Sequence, residues 1–144
     1  MARRNRHTDH ALSEIIDRGR GKCHLCHKQL SYSNHGRRGR KGAWHVDHSK
    51  PLANGGTNHG NNLRTACIAC NEEKATVTSR TAREWYGRRK APLSHERYQR
   101  EKTGNTIGGG AIGATIGGAI GGPPGALIGG LVGLAIGSSV DPDA

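Results

Sequence analysis

The sequence predicts a small α+β domain stapled by four cysteines, followed by a glycine-rich tail of a different character. Three observations carry this. Four cysteines form two C-x-x-C pairs, "CHLC" (Cys23, Cys26) and "CIAC" (Cys67, Cys70), with 40 residues between them. All 22 Lys and Arg lie in the first 103 residues, against nine Asp and Glu there, so that part of the chain carries a net +13. From Gly104 to Val140 there is no charge for 37 residues, and glycine recurs at every fourth position from Gly109 to Gly137. The resulting division is a basic arm and short helix over 1–19, a main domain with a basic C-terminal helix over 20–103, and an apolar tail over 104–144.

Residues 1–7 read as a basic arm. The stretch "TDHALSEIIDRG" then predicts a short helix, with Thr8 or Asp9 as N-cap, Ala11, Leu12, Ile15 and Ile16 on one side, and Gly19 as the stop. The first cysteine pair follows, and "SNHGRRGRKGA" reads as a solvated Gly and Arg loop. "AWHV" is the one convincing strand, with Trp44 and Val46 toward the core and His45 and Asp47 facing away. Its end delivers Asp47 and His48 to a loop. Residues 51–61 are rich in Pro, Gly, Asn and Thr and predict turns without regular structure. Beyond them the reading is a short turn of helix, the second cysteine pair, and a helix to about Lys90, in which Trp85 and Tyr86 pack while Arg83, Arg88, Arg89 and Lys90 stay wet. Pro92 ends it.

The core that this sequence offers is thin. Trp44, Trp85, Tyr32, Tyr86 and Tyr98 are the only aromatic residues, and there is no Phe. A domain of this size with so little to bury needs a staple. Paired C-x-x-C knuckles place four thiolates for a tetrahedral structural zinc, with Cys23, Cys26, Cys67 and Cys70 as ligands. His24 and His27 stand close enough to compete, but four cysteines already fill the shell. Disulfides are the alternative. "MARRNRHTDH" has no apolar stretch of a secretory signal, which favours a reducing compartment and cytoplasmic localisation where the chain is made.

A charge this dense implies a polyanionic partner, above all nucleic acid, through phosphate neutralisation and counterion release. The competing readings are a soluble basic surface and binding to anionic lipid. The tail has its own two readings. Glycines at a period of four make a smooth helix ridge for close helix packing, as in membranes, whereas in water each helical glycine costs about 1 kcal/mol against alanine. Pro123 and Pro124 would split it into two arms of roughly 25 Å each, slightly short of a ~30 Å hydrocarbon core. Residues 104–140 therefore predict either a helical hairpin for membrane or self-association, or a flexible low-complexity tail.

"CHLC", "HVDHSKPLANGGTNHGNNL" and "CIACNEEK", in this order over about residues 20–75, resemble the HNH nuclease family with its ββα-metal (His-Me finger) core. D-H, P, G-G, N-L and C-x-x-C-N-x-x-K are each weak alone and specific together. The resemblance implies a metal-dependent DNA endonuclease that hydrolyses phosphodiester bonds on duplex DNA with weak sequence preference. It makes His48 the general base, Asp47 and Asn71 the ligands of a catalytic Mg²⁺ or Mn²⁺, and Asn62 the residue that ties the loop so that His48 points correctly. Asn71 stands where many members have His, and its carboxamide favours hard, oxygen-liking cations. His45, two residues before Asp47, is a further candidate metal contact; Lys74, a turn after Asn71, reads either as a phosphate contact or as an exposed lysine, and His59 as a bystander.

Two other classes compete: a non-catalytic zinc-stapled DNA-binding protein, and a membrane-active toxin whose tail is the active part. A nuclease with a membrane-associating tail combines them, as a toxin delivered into another cell or a phage nuclease would, and an immunity or packaging partner would accompany such a role.

Overall fold

The computed structural model describes residues 7–143. The chain forms two units, Met1–Ser94 and His95–Ala144, so the boundary falls ahead of the change in composition at Gly104. Of the expected basic arm only His7 belongs to the described residues.

The first unit is built around Trp44, which is fully buried and whose indole N–H donates to the Ser31 carbonyl at 2.9 Å. Helix α1 (Asp9–Arg18) starts where expected, with the Thr8 hydroxyl accepting from the Ala11 N–H at 3.2 Å, and ends at Gly19. Leu12, Ile15 and Ile16 are the face it buries. The first cysteine pair sits on a tight reversal in which the Cys23 N–H donates to Lys28 O and the His27 N–H to Cys23 O. Strand β1 (Trp44–His48) pairs antiparallel with strand β2 (Leu63–Cys67), Trp44 opposite Cys67 and His48 opposite Leu63. Leu12, Ile16, Leu25, Leu30, Ala66 and Ala82 close around Trp44, Cys23 and Cys70. A two-stranded sheet with so small a core is marginal alone, which explains the need for a staple.

Several expectations are corrected. "AWHV" is not alone: the expected turn of helix is a 3₁₀ turn at Gly60–Asn62, and the chain then runs as β2, supplying the hydrogen-bond partner that the buried backbone of β1 requires. A second 3₁₀ turn, Leu52–Asn54, adds order to a stretch read as irregular. The helix expected to reach Lys90 is two helices, α2 (Ile68–Lys74) and α3 (Ser79–Glu84). Ala75 breaks it at φ 45°, and β-branched Thr76, Val77 and Thr78 follow, the last capping α3 through its hydroxyl. Trp85 stands exposed, so only Tyr86 of the expected pair packs on the core, while Arg83 is half-buried rather than wet. Asp47, expected to face away from the core, is buried.

The second unit consists of α4 (His95–Ser139), interrupted at Gly122, whose φ 66° and ψ −156° only glycine adopts readily. Pro123 and Pro124 fall in the first turn after this break, where a missing N–H leaves no helix bond unmade. The two arms, 95–121 and 123–139, fold back on each other glycine to glycine: a Cβ on Gly113 would strike the Gly129 carbonyl, and one on Gly117 the Gly125 carbonyl. The helix is long and apolar enough to cross a membrane by length and composition.

Candidate active site

The four cysteines converge. Their sulfurs lie within 4.8 Å of one another, Cys26 and Cys67 at 3.7 Å, and none is in a disulfide. A tetrahedron of ~2.3 Å Zn–S bonds has edges of about 3.8 Å, so the four sulfurs are near enough to hold a zinc ion. Hydrogen bonding from Cys23 brings the Cys70 thiol down to about 7 and holds Cys26 below the usual thiol range, while hydrogen bonding with Cys26 raises Cys23 and with Cys23 raises Cys67, so the crowded cluster shares its remaining protons until a metal displaces them. The Cys67 N–H donates to Cys23 Sγ at 3.3 Å. His24 and His27 are not part of this cluster: the His24 ring turns to Asp47, and His27 Nε2 meets the Lys90 carbonyl at 3.0 Å.

Strand β1 and helix α2 bring Asp47, His48 and Asn71 to the wall of one cleft of about 330 Å³, together with Lys74, Pro51 and Thr76. β1 supplies the first two as neighbours, and α2 supplies Asn71 from the turn just after the second cysteine pair. The second cysteine pair thus fixes the start of the helix that carries Asn71. His45 is not in this wall; it lies beside His35, ring centroids 6.2 Å apart.

Each oxygen of Asp47 has a protein partner. Lys74 Nζ donates to Oδ1 at 3.0 Å and also to the His48 carbonyl at 2.9 Å, and Lys74 is itself buried. The reading of Lys74 as an exposed helix lysine or a phosphate contact is therefore corrected to a buried counter-ion. His24 Nε2 lies 2.7 Å from Oδ2. Burial lowers the His24 pKa, and the opposing pull of Asp47 does not reverse this. The imidazole is then neutral, with Nε2–H donating to Asp47 and Nδ1 accepting from Arg83 NH2 at 3.3 Å, while Arg83 Nε donates to the His24 carbonyl at 2.9 Å. Burial also lowers the Arg83 pKa.

His48 is held from outside. Its Nε2 meets Asn58 Oδ1 at 2.8 Å, an acceptor, so Nε2 carries the hydrogen and Nδ1 keeps a free lone pair. Asn62 clamps the intervening loop: its Oδ1 accepts from the Lys50 N–H at 2.7 Å, and its Nδ2 donates to the Lys50 and Thr57 carbonyls at 2.9 and 2.8 Å. Gly56 lets that loop close, because a Cβ there would collide with the Lys50 carbonyl. His59 caps the turn leading to Asn62, accepting from the Asn61 N–H.

These parts have a known counterpart. Residues 23–76 match the family model described as HNH endonuclease. No curated protein and no solved structure matches the chain. The match covers the cysteine cluster and the Asp47, His48 and Asn71 cleft together, and it supports hydrolytic nuclease activity and a DNA partner for the HNH domain at family level. Four residues around this cleft gave little signal in the sequence. His24 lies inside "CHLC" and reads as a spare zinc ligand; Asn58 lies in a polar loop; Lys74 and Arg83 sit on short helices where basic residues are usually wet.

Proposed function

We propose that the protein is a metal-dependent DNA endonuclease in which His48 is the general base, Asp47 and Asn71 hold a divalent cation, and Asn62 positions the loop behind His48. The observation that carries this reading is the meeting of Asp47, His48 and Asn71 in one cleft. The donor set is all oxygen and so suits Mg²⁺ or Mn²⁺. Each Asp47 oxygen has a lone pair beyond the one its hydrogen bond uses, so a cation can join Lys74 and His24 without displacing them. When bound, the cation supplies charge neutralisation on the phosphate and the departing oxygen. His48 Nδ1 accepts the proton of the attacking water; the water oxygen bonds to phosphorus as the phosphorus–oxygen ester bond breaks. Arg37, Arg40, Lys41 and Arg80 are exposed on the same unit and offer backbone contacts to a duplex. His45 has no part in this reading.

Occupation of both Asp47 oxygens by a buried lysine and histidine favours one other reading, a zinc-stapled DNA-binding protein that does not cut. Supercoiled plasmid separates the two. Zinc-loaded protein with Mg²⁺ or Mn²⁺ should nick it, and His48→Ala should bind DNA equally and not nick. A folded wild type that binds plasmid and leaves it intact in both metals decides for the non-catalytic reading.

A further inference from the structure

The tail of the chain is a closed hairpin with a row of exposed apolar side chains. The glycine ridges that would let a second helix approach are already used within the chain, Gly109 against Gly133, Gly113 against Gly129 and Gly117 against Gly125. What remains outside is apolar. Ile112, Ile116 and Ile120 on one arm and Leu127, Ile128 and Leu131 on the other are all more than half exposed, Ile120 by 86%. On the second arm these side chains lie opposite the glycine stripe and along its flank, so no single flat partner covers them.

We propose that the occupant of this surface is the acyl interior of a lipid bilayer, which the hairpin enters turn first. Three features fit lipid better than water or a second copy. First, the hydroxyls of Thr106, Thr115, Ser138 and Ser139 each donate to a carbonyl of their own helix, leaving no side-chain O–H between 104 and 140 in need of water. Second, charge is confined to one end. Arg100 and Lys102 precede the apolar part of the first arm, Asp141 and Asp143 follow the second, and the turn at Gly121, Gly122, Pro123 and Pro124 has none. Third, an arm of about 17 residues rises ~25 Å, enough to place the turn near the far side of a ~30 Å hydrocarbon core while both charged ends stay on the side of entry. A hairpin of this kind needs no charge to cross the bilayer. The inference is independent of the nuclease reading and would place the first unit at a membrane surface.

The test is flotation of the full chain with large unilamellar phosphatidylcholine vesicles in high salt, where adsorption of the basic half is screened. Wild type and His48→Ala should float alike and stay bound in alkaline carbonate. Ile120→Lys, at the most exposed of these positions, where little packing is lost, should lower partition about a hundredfold, the cost of a lysine carried into the core. In Ile120→Trp, lipids brominated deep in the chain should quench the new indole fluorescence over that of Trp44 and Trp85. Failure of wild type to float, flotation of Ile120→Lys equal to wild type, or a vesicle-free dimer that Ile120→Lys dissociates would each overturn it, the last in favour of a second copy of the chain.

Discussion

Lys74 Nζ lies 3.0 Å from Asp47 Oδ1, with both side chains sealed from solvent, and the same ammonium holds the His48 carbonyl. One buried cation, the last residue of helix α2, therefore ties that helix to both consecutive residues of the β1 terminus. Removing a single partner of such a pair leaves an uncompensated buried charge, which costs about 3–5 kcal/mol. Lys74→Met should lower unfolding free energy by that order in zinc-loaded protein, read from the urea midpoint. Lys74→Met with Asp47→Asn should recover part of the loss; a double variant no more stable than Lys74→Met would show that the pair is not what the lysine supports.

Asn58 should matter to rate more than to binding. Its side chain fixes the His48 ring with Nδ1 free, and a misplacement of about 1 Å at a reacting group costs up to a hundredfold. Asn58→Ala is expected to lower kcat roughly ten- to hundredfold in plasmid cleavage, with KM and the urea midpoint nearly unchanged. A loss in KM alone would move Asn58 from orienting His48 to contacting DNA.

The two metal sites should separate by chelation. The cysteine cluster joins the start of α2, the β2 end and the first knuckle, so a zinc bound there would be folding energy, whereas a cation in the cleft would be held by only two side chains, Asp47 and Asn71. Mild EDTA should abolish cleavage and leave the circular dichroism spectrum intact, with Mg²⁺ or Mn²⁺ restoring activity. Cys70→Ala or a strong thiol-competing zinc chelator should unfold the first unit. Simultaneous loss of activity and structure at every EDTA concentration would contradict two distinct sites.

His24 makes stability depend on pH. Burial lowers its folded pKa below the unfolded value of about 6.5, so the unfolded chain binds the extra proton first. Its contribution is complete above pH ~6.5 and is lost as the pH falls from there through the folded pKa. The urea midpoint should drop between pH 7.5 and 5.5, and His24→Gln, which keeps a donor for Asp47 without a titrating ring, should drop less. An equal drop in both would assign the pH dependence to groups other than His24.

How much of this was legible depends on whether spacing or burial carried the information. The C-x-x-C pairs, the Thr8 cap, Gly19 and the adjacency of Asp47 and His48 are local patterns, and each can be read without knowing its neighbours. Strand β2 could not be, because "LRTAC" is five residues between an Asn-rich turn and a knuckle, and only β1 gives it a reason to extend. The burial of Lys74 was hidden for a related reason. A lysine on a short helix reads as wet, and its partner Asp47 is 27 residues away on a face that alternation alone assigned to solvent. His24 was set aside as a ligand because four cysteines fill the shell, but its partner Asp47 lies 23 residues away and no local pattern points to it.

The tail offers the last prediction, because its packing is set by backbone contact. Gly113 and Gly129 approach so closely that a Cβ on Gly113 meets the partner carbonyl, a rigid atom that cannot give way as a side-chain tip would. Gly118, five residues on and turned off that ridge, differs: a Cβ there would find only the Ala126 methyl, at an ordinary 3.4 Å. Both substitutions to alanine gain the same helix propensity, about 1 kcal/mol. Gly118→Ala should therefore raise the thermal midpoint of the tail's helicity in detergent micelles, followed by circular dichroism on the full chain, while Gly113→Ala should lower it by forcing the arms apart. Both variants moving upward together would mean that the arms do not touch along this ridge, and that propensity alone governs the tail.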